Sequence, residues 1–131
     1  MADGLSTANL ANKILNNLIN NTSWTAPAAI YAELHIGTPG SAGTSNPSAG
    51  SATRNVLSYS AASGGAVALS ANSAAWTNTS GTETLSDVAF WDAVTSGNFL
   101  WSAAMNSTHT WNLNDTFTLT SATVSITPLA A

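Results

Sequence analysis

Six carboxylates and two imidazoles are the side chains in this 131-residue sequence that could carry acid–base or metal chemistry. Their spacing argues against both. Asp87 and Asp92 are separated by an odd number of positions on an alternating stretch, so they point to opposite sides and do not pair. Glu33 and Asp115 are far apart in sequence. Glu33 and His35 share one side of a strand pattern, but a metal needs at least three converging ligands and only His109 remains as a second imidazole. An oxygen-rich calcium site at Asp92, Thr95 and Asn98 would have a single carboxylate. Asp92 and Asp115 sit where Asp side chains ordinarily bond to turn amides, and a structural role is the expectation for both. No G-x-S-x-G elbow or phosphate loop occurs, and serines without placed histidines make no triad. The expectation is a protein without an enzymatic activity, cofactor or metal.

Aromatic side chains are the other candidates. Trp24, Trp76, Trp91, Trp101 and Trp111 are many for a chain otherwise rich in Ala, Ser, Thr and Asn. Each can fill a core or serve as a stacking platform for a sugar. Trp24 and Trp76, flanked by Thr, Asn and Ser, are expected to be the exposed ones, and the other three to build the core.

Composition narrows the partners. Only 6% of residues are charged, with two cations, Lys13 and Arg54, against six carboxylates. Phosphate neutralisation needs clustered Lys and Arg, so neither nucleic acid nor an anionic membrane is an expected partner. The surface is polar but nearly uncharged and has little repulsion to keep copies apart, which suits a subunit that sits against other protein. There is no cysteine, hence no disulfide framework. No run reaches the length of a membrane span, and the start Met-Ala-Asp-Gly has no signal-peptide character.

The elements that would position these residues follow from periodicity. Residues 5–20 carry the one helical pattern, with Leu10, Ile14 and Leu18 in one row and Ala11, Leu15 and Ile19 beside it. Ser6 or Thr7 is the expected N-cap, and Asn20 to Ser23 the stop. The polar side holds Asn9, Asn12, Lys13, Asn16, Asn17 and Asn20, whose amides suit hydrogen bonds to a neighbouring subunit. Residues 28–36 form a strand with Ile30, Leu34 and Ile36 inward and Tyr31, Glu33 and His35 outward. Residues 37–53 are Gly/Pro/Ser-rich and too long for an ordinary connection, so they predict a mobile loop or a contact arm.

Short strands are expected at 54–59, 66–71, 74–77, 86–92, 98–105, 117–119 and 122–127, the last with Val124 and Ile126 inward. The stretch 85–105 is the central hairpin, turning at residues 92–97 with Gly97 supplying positive φ. The fold class is therefore mainly β: an antiparallel, jelly-roll-like β-sandwich of about eight short strands with one N-terminal α-helix. The whole chain, 1–131, reads as a single domain, with the helix at 5–20 and the sandwich at 28–127.

The order of landmarks resembles a family of small bacteriophage proteins. Gly4-Leu-Ser6 with Leu10-Ala-Asn-Lys-Ile-Leu15 is similar to its opening helix. Thr25-Ala-Pro-Ala28, Tyr31, Leu34, Gly37 and Pro39-Gly40 resemble its first strand and loop. Arg54 with Tyr59, Trp91-Asp-Ala93 with Gly97-Asn98, Leu100 and Trp101, and Asn112 to Phe117 complete the set. The loop departs from relatives in lacking an acidic residue beside Gly40. Members are usually labelled tail-fibre or minor virion structural proteins, which implies a virion component at the surface of capsid or tail. Small size, low charge and the long loop favour a capsid decoration (cement) protein on the major capsid protein. A tail-fibre or tail-tip subunit in contact with tail proteins and a host glycan is the alternative. A homo-oligomer, a trimer first, is expected in either case. Partner contacts are expected at Asn9, Asn12, Asn16, Trp24, Pro39, Asn46, Pro47 and Trp76.

Overall fold

The computed structural model describes residues 2–127 and 130. A helical segment opens the chain. Its first turn, Thr7–Ala11, is π-wound, and α1 continues it over Asn12–Asn20. The Ser6 hydroxyl accepts from Asn9 N at 3.3 Å, which makes Ser6 the N-cap. Asn21 ends the helix at φ 52°, a left-handed conformation that asparagine adopts at low cost.

Among the described residues eight antiparallel strands follow: β1 Ile30–His35, β2 Asn55–Leu57, β3 Ala66–Val67, β4 Trp76–Thr77, β5 Glu83–Trp91, β6 Phe99–Trp111, β7 Thr116–Phe117 and β8 Val124–Ser125. The main sheet has the order β2-β1-β5-β6, and the short strands pair as β3-β8 and β4-β7 ribbons. The β5–β6 hairpin is the longest pairing, with Phe90 opposite Trp101 and Trp91 opposite Phe99. Alternation along β5 divides its side chains as expected. Val88 and Phe90 join Ala32, Leu34, Leu57, Leu85, Trp76 and Trp111 in the main core, against which Leu69, Phe117 and Leu119 pack. Ala89 and Trp91 meet Phe99 and Tyr31 in a smaller cluster on the other face.

Several expectations change. Strand β6 runs on through the polar Asn106–Thr110, whose side chains are exposed. Val124 and Ile126 are exposed, at 39% and 75%, since β8 pairs only with the two-residue β3. His35 is fully buried instead of outward, because residues 37–53 fold back over that end of β1. Ser48 N donates to Leu34 O at 3.0 Å, Ile36 N to Asn46 O at 2.9 Å, and His35 Nδ1 lies 2.8 Å from Ser45 O. Gly43, at φ 73°, passes so close to the Phe99 ring that a Cβ there would overlap it. The loop is thus a packed layer on the sheet.

The helix departs furthest. Every residue of α1 is exposed, with Leu15 at 56%, Leu18 at 74% and Ile19 at 72%. Of the apolar rows, Leu10 and Ala11 at the start are partly buried, and Ile14, Leu15, Leu18 and Ile19 are exposed.

Candidate functional site

The carboxylates fall into structural knots. Glu83 at the start of β5 is the acceptor that holds the long loop: Ser48 Oγ, Ala49 N at 3.0 Å and Gly50 N at 3.1 Å all donate to it, as does Trp111 Nε1 at 3.0 Å. Burial works to raise this carboxyl, but the donations from Ser48, Gly50, Trp111 and Ala49 outweigh it and hold Glu83 below its ordinary 4.5. Asp87 behaves oppositely. Burial lifts it above its ordinary 3.8 and the adjacent Asp3 carboxyl lifts it further, against donation from Ser86 and the pull of His35.

Glu33 is paired with Arg54, whose Nε lies 2.9 Å from Glu33 Oε2. The guanidinium lies over the Trp91 ring, 3.6 Å from its centre, and donates to Ala93 O at 3.2 Å and Ser96 O at 2.6 Å. Residues 33, 54, 91, 93 and 96, distant in sequence, thereby shape one turn. Asp92 finishes it: its carboxylate accepts from Asn98 N and Asn98 Nδ2, both at 2.7 Å. This is the structural role expected of Asp92, reached across the turn and not two residues on. Asp115 likewise accepts from Asn112 N at 2.8 Å. Among the described residues no group of three His, Asp or Glu side chains is placed to hold a metal ion.

The turn forms one side of a cleft of about 270 Å³. Asp92, Asn98 and Leu100 face Asn9 and Lys13 of the helical segment, and Trp24, Thr25 and Pro27 close the end. Asn9 Nδ2 donates to Phe99 O at 3.1 Å and ties the helical segment to the sheet. The cleft therefore sets a half-buried indole beside amides, one cation and one carboxylate, a mixture that suits a polar ligand of low net charge. It offers no nucleophile with a base.

The residues singled out by sequence are dispersed. Asn9 and Trp24 meet in this cleft. Asn12 and Asn16 are exposed on α1, and Asn16 Oδ1 accepts from Asn20 at 2.9 Å. Pro39, within the long loop, is buried and so corrects the expected contact, while Asn46 and Pro47 of the same loop are exposed. Trp76 is a correction: it is 2% exposed, its indole N–H donates to Thr53 O at 2.7 Å, and its ring lies 6.3 Å from that of Phe117. Of the polar neighbours that suggested exposure, Thr77 is exposed on the other side of the strand, while Asn78 and Ser73 are themselves buried. Lys13, Asp92 and Asn98 join the cleft without having been singled out as contacts. The signal was the helical spacing of Asn9 and Lys13, four residues apart and hence on one side.

The helix, the first strand and the hairpin turn that carry the resemblance to small phage virion proteins are all formed in the structure. A family model described as podophage GP4 fiber I protein gp80 matches residues 5–127, and the chain belongs to that family. The match covers the helix, the cleft and all eight strands. A comparison with curated proteins gives no match. Among the described residues no helix is long and apolar enough to cross a membrane.

Proposed function

We propose that this protein is a non-catalytic subunit of a phage tail fibre and serves adsorption to the host, with the Trp24 cleft as its contact for a neutral or zwitterionic saccharide. The family match over residues 5–127 carries the fibre reading. The cleft supports the ligand class. An indole offers an apolar face to a sugar ring, and Asn9, Asn98, Lys13 and Asp92 offer donors and acceptors around it. The low charge of the whole chain fits a surface that does not rely on electrostatic steering.

The family description fits a fibre better than a capsid decoration role, which keeps the support of small size, low charge and a surface suited to packing on protein. Copy number and location decide between them. Antibody labelling of virions, with band densitometry against the major capsid protein, is expected to give a few copies at the tail. Label spread over the shell in near-stoichiometric amount would overturn the fibre reading. Trp24→Ala is expected to slow adsorption at least about tenfold if the indole is the platform. An unchanged adsorption rate would remove the cleft from the proposal and leave the fibre role standing.

A further inference from the structure

A groove of about 520 Å³ runs between β6 and the segment that leaves β7. Phe90, Met105, Phe117 and Leu119 give it an apolar floor. Its two walls are residues 103–107 and 117–123, both unbroken runs of chain. A groove on a sheet face would take every second residue, because side chains alternate between faces. Ala104 stands opposite Asp87, on the face away from Val88 and Phe90, and still lines the groove, so it does so with main chain.

That main chain is short of partners. Residues 120–123 make no hydrogen bond to any described residue. On the outer edge of β6, Ser6 N bonds to Leu100 O at 2.7 Å and Ser102 N to Gly4 O at 3.0 Å, and beyond them no described residue outside the sheet bonds to the main chain of residues 103–110. Register adds to the vacancy. Ala104 pairs with Asp87 and His109 with Leu85, so Met105–Thr108 stand opposite Ser86 alone and form a bulge, three residues of which line the groove. Free amides and carbonyls along a strand edge are a template for another strand. We infer that the groove takes an extended, uncharged peptide segment of a partner protein, which adds to the free edge of β6 beyond Ser102 and lays alternate side chains on Phe90, Met105 and Phe117.

Three observations select this occupant. The same edge already carries an extended segment, since Gly4 to Ser6 lie antiparallel on Leu100 to Ser102 with Leu5 opposite Trp101, and the free stretch continues that line. No carboxylate, lysine or arginine lines the groove, so a charged segment would lose water there and gain no counter-charge. The bulge bends the edge, which a single flexible segment can follow and the sheet edge of a second copy cannot. Neither the fibre role nor the saccharide cleft is needed for this binding.

The test uses the full chain and a pool of acetylated, amidated heptapeptides in which Thr alternates with Val, Ile, Leu or Phe. Hydrogen exchange is expected to slow at least about tenfold at the amides of residues 103–110 and to stay unchanged in α1. The same pool with every amide N-methylated keeps the side chains and loses the donors, and is expected to bind at least about tenfold more weakly. Ala104 lies two residues past Ser102, so its amide also points outward, where an edge strand tolerates proline. Ala104→Pro, and Ala103→Lys on the exposed wall, are each expected to weaken binding at least about tenfold, with unchanged near-ultraviolet dichroism from the tryptophans as the check on folding. No slowing with the pool overturns the inference, and so does equal binding of the methylated pool. A groove that takes maltoheptaose and not the peptides overturns it in favour of a second sugar site. A chain that dimerises with residues 103–110 protected in the absence of peptide overturns it in favour of a second copy.

Discussion

The long loop and the helix are both segments that a reader of the sequence would misplace, and they err in opposite directions. Residues 37–53 have the composition of a flexible connection, yet they are bound down by Glu83, Leu34 and Phe99. Residues 12–20 have the pattern of a core helix, yet none of them is buried. The difference lies in what each segment finds within reach. A Gly- and Ser-rich chain can follow a sheet closely, because small side chains let its own amides meet the half-buried carboxylate of Glu83. A helix with a half-apolar surface needs a surface of similar size, and one domain of this length has already used its large side chains between the sheet and the ribbons.

Parallel deletions in the two regions should separate them most widely. Leu34→Ala empties a fully buried position and is expected to cost about 2–5 kcal/mol, read as a lower urea midpoint. Glu83→Gln comes next. It weakens the donations from Ser48, Ala49, Gly50 and Trp111, and a loss of about 1–3 kcal/mol is expected, together with faster proteolysis inside residues 37–53. Its pH dependence has a definite sign. The folded value is depressed, so the stabilisation by Glu83 is complete above its ordinary 4.5 and is lost as pH falls through the lower folded value. Thermal melts of wild type and E83Q should therefore converge in acid.

Asp87→Asn should act with the opposite sign and a smaller size. The Asp87 carboxyl is raised, so its contribution is greatest below its ordinary 3.8 and is lost as pH rises through the folded value. The charges facing it are those of Asp3 and His35. D87N is expected to melt higher than wild type at neutral pH, with the gain vanishing toward pH 3.8. The smallest effect belongs to the helix. Leu18→Ala, measured under conditions that keep the chain monomeric, is expected to shift the urea midpoint by no more than about 0.5 kcal/mol equivalent, since Leu18 is 74% exposed. A loss as large as that of Leu34→Ala would mean that the helix is packed on its own domain, and the contrast between the two regions would fail.

Local patterns were legible where local forces decide. The β5–β6 hairpin, its turn at residues 92–97 and the split of Phe90 from Trp91 follow from alternation and from Gly97 at φ 74°. The helix cap at Ser6 and stop at Asn21 follow from side-chain chemistry. Contacts between distant residues were not legible. Glu83 lies 33–35 residues from the loop amides and hydroxyl it binds, and no periodicity connects them. Trp76 was hidden by polar neighbours, two of which, Ser73 and Asn78, are buried through long-range hydrogen bonds, and His35 by a loop whose path depends on Glu83. In the cleft, Trp24 was found by its chemistry, but Lys13 and Asp92 come together only through the fold.

The joint between helix and domain has a mechanical meaning. Residues 4–6 lie antiparallel along the outer edge of β6, with Ser6 N bonded to Leu100 O at 2.7 Å and Ser102 N to Gly4 O at 3.0 Å. Tension on the chain ahead of the helix passes through this seam, with the Asn9 bond to Phe99 O just beyond it. A pull along the strand direction loads both bonds together in shear, whereas a pull across it would open them one after the other. A pull on the start of the chain therefore meets a two-bond clasp on the sheet edge before the tryptophan core is strained.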